Sequence, residues 1–209
     1  MKKNLIFACI FVLVGFIGTS SAITVGNTIV DRPNIDGSVN ISLIDPTLVF
    51  ETDGTLNSFS FWQNGQQGDK FATQIYRYAG SADNWTLIYE DIYTLGATTN
   101  NSFTFVTSPF AIQAGDVVGW WFGAGAGVIP YTNTGSDDVE WTNWRTVIIT
   151  NPTVGNIYSF NTSAWTQSSQ KREYSISADY TPTVPEPATM LLLGLGLMGL
   201  AGVRRKIKK

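Results

Sequence analysis

The run Thr55-Leu56-Asn57-Ser58-Phe59-Ser60-Phe61-Trp62 is followed, eight residues later, by Phe71-Ala72-Thr73-Gln74-Ile75-Tyr76-Arg77-Tyr78. Both alternate with a period of two, the spacing at which side chains of an extended strand fall on opposite faces. The first places Leu56, Ser58, Ser60 and Trp62 on one face and Asn57, Phe59 and Phe61 on the other. The second sets Phe71, Thr73, Ile75 and Arg77 against Ala72, Gln74, Tyr76 and Tyr78. Segments of the same kind recur on both sides, at 40–44, 47–50, 86–92, 102–106, 116–122, 146–150 and 173–180. Each is short, rich in β-branched and aromatic residues, and bounded by Gly, Asn, Asp or Ser. No stretch of residues 23–183 sustains helical periodicity, and no internal repeat is apparent. The expectation is an all-β domain, a single antiparallel β-sandwich.

The clearest local pattern runs Phe103-Thr104-Phe105-Val106, then Ser108-Pro109-Phe110-Ala111-Ile112-Gln113-Ala114-Gly115-Asp116-Val117-Val118-Gly119-Trp120-Trp121-Phe122. Gly115 suits a tight turn that needs positive φ, and Asp116 can accept from nearby backbone amides. The residues after it read as a buried strand in which Trp120 and Trp121 point to opposite faces, one into the core and the other outward or under a loop. Ala114-Gly115-Asp116 followed by Trp120 resembles the hairpin of secreted jelly-roll domains, many of them glycan-associated. That resemblance implies a jelly-roll-like sandwich.

Both ends of the chain carry addresses. Met1-Lys2-Lys3, an apolar run from Leu5 to Ile17, and Ser20-Ser21-Ala22 have the charge, length and small-residue ending of a secretory signal peptide, residues 1–22, cut after Ala22. Cys9, the single cysteine, lies inside that run and lacks the small-residue approach of a lipidated cysteine. The exported domain therefore has no disulfide to form, in a compartment that would permit one. At the other end, residues 184–209 open with Val184-Pro185-Glu186-Pro187. The two prolines fix φ and keep this stretch extended. Residues 188–203 carry no charge and as a helix would span about 24 Å, a little less than a hydrocarbon core of ~30 Å. Arg204, Arg205, Lys206, Lys208 and Lys209 then form a basic end that stays cytoplasmic and orients the domain outward. This three-part tail resembles the PEP-CTERM signal of Gram-negative bacteria. The resemblance implies a precursor anchored in the inner membrane by a C-terminal transmembrane helix, recognition by an exosortase-type membrane enzyme, and delivery to the cell surface or the extracellular polymer matrix.

The domain between, residues 23–183, holds six basic and fifteen acidic residues, a balance of −9 that the whole-chain value of −3 conceals. So acidic a surface argues against nucleic acid or anionic lipid as a partner. The segment contains no histidine and no cysteine. The Ser-His-Asp and Cys-His nucleophile pairs are therefore absent, and so are the usual zinc ligands. Gly123-Ala124-Gly125-Ala126-Gly127 lacks the Lys-Ser/Thr of a phosphate loop. Enzymatic function is not expected; the one chemistry left open is a pair of carboxylates acting as a glycoside hydrolase. Asp31, Asp36, Asp137 and Asp138 lie in turn-rich stretches and are candidate calcium ligands, although neither stretch has the twelve-residue EF-hand pattern.

All seven tryptophans fall within the domain. Trp141-Thr142-Asn143-Trp144-Arg145 follows an acidic cluster in a loop-like region. Flat rings next to Asn and Arg suit a sugar, whose apolar face stacks while its hydroxyls take the polar groups. Trp141, Asn143, Trp144 and Arg145 are the candidate glycan contacts. The expected protein is an exported surface or matrix component, structural or polysaccharide-binding, with extracellular polysaccharide as partner. The rival is a hydrolase of that polysaccharide.

Overall fold

The computed structural model describes residues 21–37, 39–64, 67–81, 83–96, 101–123, 128–133, 145–160 and 172–183. The expected signal peptide, apart from Ser21 and Ala22, and the expected transmembrane helix lie outside these. Among the described residues every regular element is a strand, and every pairing is antiparallel.

In chain order the strands are β1 (Ile23–Gly26), β2 (Asn34–Ile35), β3 (Ile41–Val49), β4 (Gly54–Gln63), β5 (Lys70–Tyr78), β6 (Asn84–Thr94), β7 (Asn101–Ile112), β8 (Val117–Phe122), β9 (Pro130–Asn133), β10 (Arg145–Ile148), β11 (Ile157–Ser159), β12 (Arg172–Tyr174) and β13 (Ile176–Pro182). They form three sheets: β1-β13-β4-β7, β10-β3-β8-β5-β6-β11, and a small β12-β9-β2. The edges of the six-stranded sheet, β10 and β11, are joined by residues 149–156 alone. The sheet curls into a nearly closed, barrel-like form.

The main core lies between the two larger sheets. Leu56, Phe59, Phe61, Ile176, Ala178 and Tyr180 from the first meet Leu43, Phe71, Ile75, Val118, Trp120 and Phe122 from the second. Aromatic edges and faces interlock there: Phe61 on Phe71 at 4.8 Å, and Phe50 against Tyr180 at 5.1 Å and 89°. A second cluster, Ile44, Tyr76, Trp85, Leu87, Val117 and Phe160, covers the far face of the six-stranded sheet. That sheet is therefore buried on both sides, which accounts for β8 (Val-Val-Gly-Trp-Trp-Phe) being buried at every position.

The Trp120–Trp121 reading holds. Trp120 is fully buried in the main core, while Trp121 faces the other way and donates its indole N–H to the Ile149 carbonyl at 2.8 Å, under the connecting segment. The face assignment of 55–62 needs one correction. Asp179 pairs with Ser58 and Tyr180 with Leu56, so Asn57 is an extra residue in β4. This bulge reverses the alternation and puts Leu56 in the core with Phe59 and Phe61. Ser58, Ser60 and Trp62 keep the opposite face. Two expected strands, 40–44 and 47–50, are the one strand β3, offset by a turn in which Asp45 Oδ1 accepts from Thr47 N at 2.9 Å. The expected strand 173–180 divides at Ser175, because β12 joins the small sheet while β13 lies between β1 and β4.

Candidate functional site

The turn at 112–117 is built as its residues dictate. Gly115 has φ of +92°, and Asp116 Oδ2 accepts from Gln113 N at 2.8 Å. The same buried carboxylate takes two bonds from Arg77, Nε to Oδ1 at 2.7 Å and NH2 to Oδ2 at 2.8 Å. This fork pins the start of β8 to β5 and raises the pKa of Arg77. It is an architectural site, because Asp116 is sealed from solvent.

The small sheet carries the densest charged cluster. Arg172 NH1 donates to Asp36 Oδ2 at 2.9 Å, and the Tyr174 hydroxyl donates to the same oxygen at 2.8 Å. The Arg172 guanidinium lies 4.4 Å over the Tyr131 ring. Tyr174 packs on Trp120 at 4.8 Å and on Tyr131 at 5.2 Å, which ties the cluster to the main core. Burial, and then the Asp36 charge, hold Tyr174 protonated far above its ordinary pKa. Burial opposes the charge on Arg172, but Tyr174 and Asp36 outweigh it and raise the guanidinium pKa. Beside them the buried Arg32 donates to Ser175 Oγ at 2.7 Å, to Glu173 Oε1 at 2.6 Å and to the Thr28 carbonyl at 3.2 Å.

Asn133, the last residue of β9, pairs with Arg172, the first of β12. Residues 134–144 follow Asn133 in the chain, and residues 161–171 precede Arg172. Trp141, Asn143 and Trp144 lie outside the described residues. Arg145 begins β10, its backbone opposite Ile44. Of the candidate calcium ligands, Asp36 is engaged by Arg172 and Tyr174, Asp31 is exposed, and Asp137 and Asp138 lie outside the described residues. Among the described residues no three His, Cys, Asp or Glu side chains gather to hold a metal ion.

A third constellation crosses the far face of the six-stranded sheet. Gln74 Nε2 donates to Glu90 Oε1 at 2.7 Å, and the Tyr76 hydroxyl donates to Gln74 Oε1 at 2.9 Å. The Tyr76 ring lies over Gly119, where a Cβ would come within 2.9 Å of it. Burial raises the pKa of Glu90 despite the bond from Gln74. Sequence reasoning missed this row and the Asp36–Arg172–Tyr174 cluster. Gln74 and Glu90 face each other only through the β5–β6 register, and Asp36 lies far from Arg172 along the chain.

The tail supplies the functional assignment. Residues 183–206 match the PEP-CTERM protein-sorting motif. The motif takes in Pro185-Glu186-Pro187, the apolar stretch and the first basic residues, and it marks an exported, surface-sorted protein processed by an exosortase. No curated protein and no solved structure matches the chain significantly.

Proposed function

We propose that this PEP-CTERM protein is a non-enzymatic component of the cell surface or extracellular matrix, structural or polysaccharide-binding, built on a jelly-roll sandwich. The observation that carries the reading is the strand order. β1-β13-β4-β7 packs against β3-β8-β5-β6, the interleaved order made by winding one long hairpin around a sandwich, with β10 and β11 added at the edges. Such folds hold loops at the sandwich ends and present them to ligands.

The proposed glycan contacts are Trp141, Asn143, Trp144 and Arg145. Along the chain they follow Asn133, whose strand partner Arg172 lies over the Tyr131 ring. The proposal needs no metal and no cofactor. Its test is retention of the exported protein on the polysaccharide of the producing cell. Trp144→Ala should weaken retention about tenfold or more while leaving the melting temperature nearly unchanged. Equal retention by wild type and variant would remove the site, and no retention by wild type would leave a purely structural role.

One observation favours a second reading. Glu90 has a raised pKa, as the acid of a glycoside hydrolase requires. Its nearest polar partner is the Gln74 amide rather than a second carboxylate. Release of reducing ends from the matrix polymer, abolished by Glu90→Gln, would establish the hydrolase; no release rejects it. Export is tested separately: Glu186→Ala should leave the precursor at its full mass, and normal processing in that variant would contradict the sorting assignment.

A further inference from the structure

We infer that the exported protein pairs with a second copy of itself through the free edge of β7, in antiparallel register with Thr104 on the two-fold axis.

β7 ends the four-stranded sheet, and among the described residues nothing pairs with its outer side. The outermost strands at the other edges of the two large sheets are short: β1 and β10 have 4 residues and β11 has 3, against 12 in β7; β6 runs on past β11 but carries Glu90 and Asp91 there. Short edges are a common protection against strand addition, and charges on the edge are another. β7 has neither, since residues 101–112 include no Asp, Glu, Lys or Arg. Only its second half is guarded. Between Val106 and Phe110 the strand carries two residues more than β4 does, and Pro109 lacks an N–H. Residues 101–107 form the open portion, about 23 Å of regular strand at ~3.3 Å per residue.

The sequence of this portion is close to a palindrome. Around Thr104 it reads Ser102-Phe103-Thr104-Phe105-Val106. In an antiparallel pair centred there, Thr104 faces Thr104 of the second copy, Phe103 faces Phe105, and Ser102 faces Val106. Aromatic pairs and Thr–Thr pairs are among the favourable cross-strand combinations. The faces also agree. Phe103 and Phe105 point inward onto Phe61 and Phe59, at 5.5 and 6.0 Å, while Thr104 points outward and shares a 2.8 Å hydroxyl bond with Ser60. Pairing would continue the aromatic row across the two-fold and cover Phe103, which is 43% exposed, and Val106, which is 86% exposed. The domain carries −9, so two copies repel over most of their surfaces. A charge-free strip is where they can approach without setting like charges opposite each other, and a charged peptide would find no side-chain charge to pair with there.

So narrow a contact falls below the ~1,600 Å² of a standard interface, so it should be weak in dilute solution and populated where copies are crowded on a surface. A register-specific disulfide trap reads it out. Residues 23–183 hold no cysteine, and a Cys9→Ser background removes the one cysteine of the chain. Directly opposed strand residues have Cα atoms about 4.5–5.5 Å apart, inside the 4.4–6.8 Å range of a disulfide. Thr104→Cys should therefore give disulfide-linked dimers on the cell surface. Ser102→Cys or Val106→Cys alone should not, because their own copies lie four residues out of register, about 13 Å along the strand. The Ser102→Cys, Val106→Cys double variant should link again, and it keeps the test open if Thr104→Cys folds poorly. Absence of dimers in both linking variants overturns the inference. So does equal trapping at 102, 104 and 106, which would mean random collision.

Discussion

The Arg77–Asp116 fork should respond asymmetrically to loss of its two members. Asp116 is 1% exposed, whereas the Arg77 side chain is 37% exposed. Removing Arg77 leaves a carboxylate in the interior with only the Gln113 amide for compensation, and a buried charge stripped of its partner costs about 3–5 kcal/mol. Arg77→Met preserves most of the stem packing, so we expect ~3–4 kcal/mol. Removing the carboxylate instead frees a guanidinium that already reaches water. Asp116→Asn keeps an oxygen for the Gln113 amide and should cost only ~1–2 kcal/mol, about that of a charge-assisted hydrogen bond discounted for solvent. Asp116→Ala adds an unsatisfied amide and should reach ~3 kcal/mol. Chemical unfolding of the exported protein measures this as a change in midpoint at constant m-value. For a domain of this size Arg77→Met should lower the melting temperature by roughly 6–16 °C. If Asp116→Asn proves as costly as Arg77→Met or costlier, the desolvated-carboxylate reasoning is wrong. If the double variant costs the sum of the singles, the two groups are not coupled at all.

The remaining predictions concern the cores and pH. Trp120→Ala should cost about 3–5 kcal/mol, since the ring is fully buried against Tyr174; a loss below 1 kcal/mol would mean that it does not fill the core. Trp121→Phe should cost ~1–3 kcal/mol by leaving the Ile149 carbonyl without its donor, and an unchanged melting curve would contradict that bond. Because the pKa of Glu90 is raised in the fold, the native state holds its proton where the unfolded chain has lost it. Its contribution to stability therefore falls as pH rises from the ordinary carboxylate range through the folded pKa. Glu90→Gln should gain on the wild type across that window, and parallel stability–pH curves for the two proteins would refute the assignment.

Much of the fold was legible because it rests on local rules. Period-two alternation places Phe71 and Ile75 opposite Tyr76, and each faces its own hydrophobic cluster. Gly115 and Asp116 form the turn that their chemistry permits. The bulge at Asn57 was hidden, because an extra residue shows only when β4 is set against β13, and it moved Leu56 to the other face. Strands β1, β2, β9 and β11 were missed, being 2 to 4 residues long and held by pairing more than by their own pattern. The candidate site divides in the same way. Arg145 was named for its neighbours in sequence and begins β10, whereas the cluster of Arg172 over Tyr131 beside Asp36 comes from strands brought together by the small sheet.

The sequence by itself determined the address of the protein. A sorting tail is recognised by the order of its segments along the chain, so the sequence alone reveals it, and residues 183–206 match that motif. Composition likewise excluded catalysis by histidine, and by cysteine within residues 23–183, since no fold can supply absent side chains. Only the tertiary structure decided which charges are paired, which carboxyl is desolvated and which strand is left at an edge. Those properties depend on register between segments far apart in the chain. A shift of one residue reverses every face, and burial among strands far apart in the chain is what raises the pKa of Glu90.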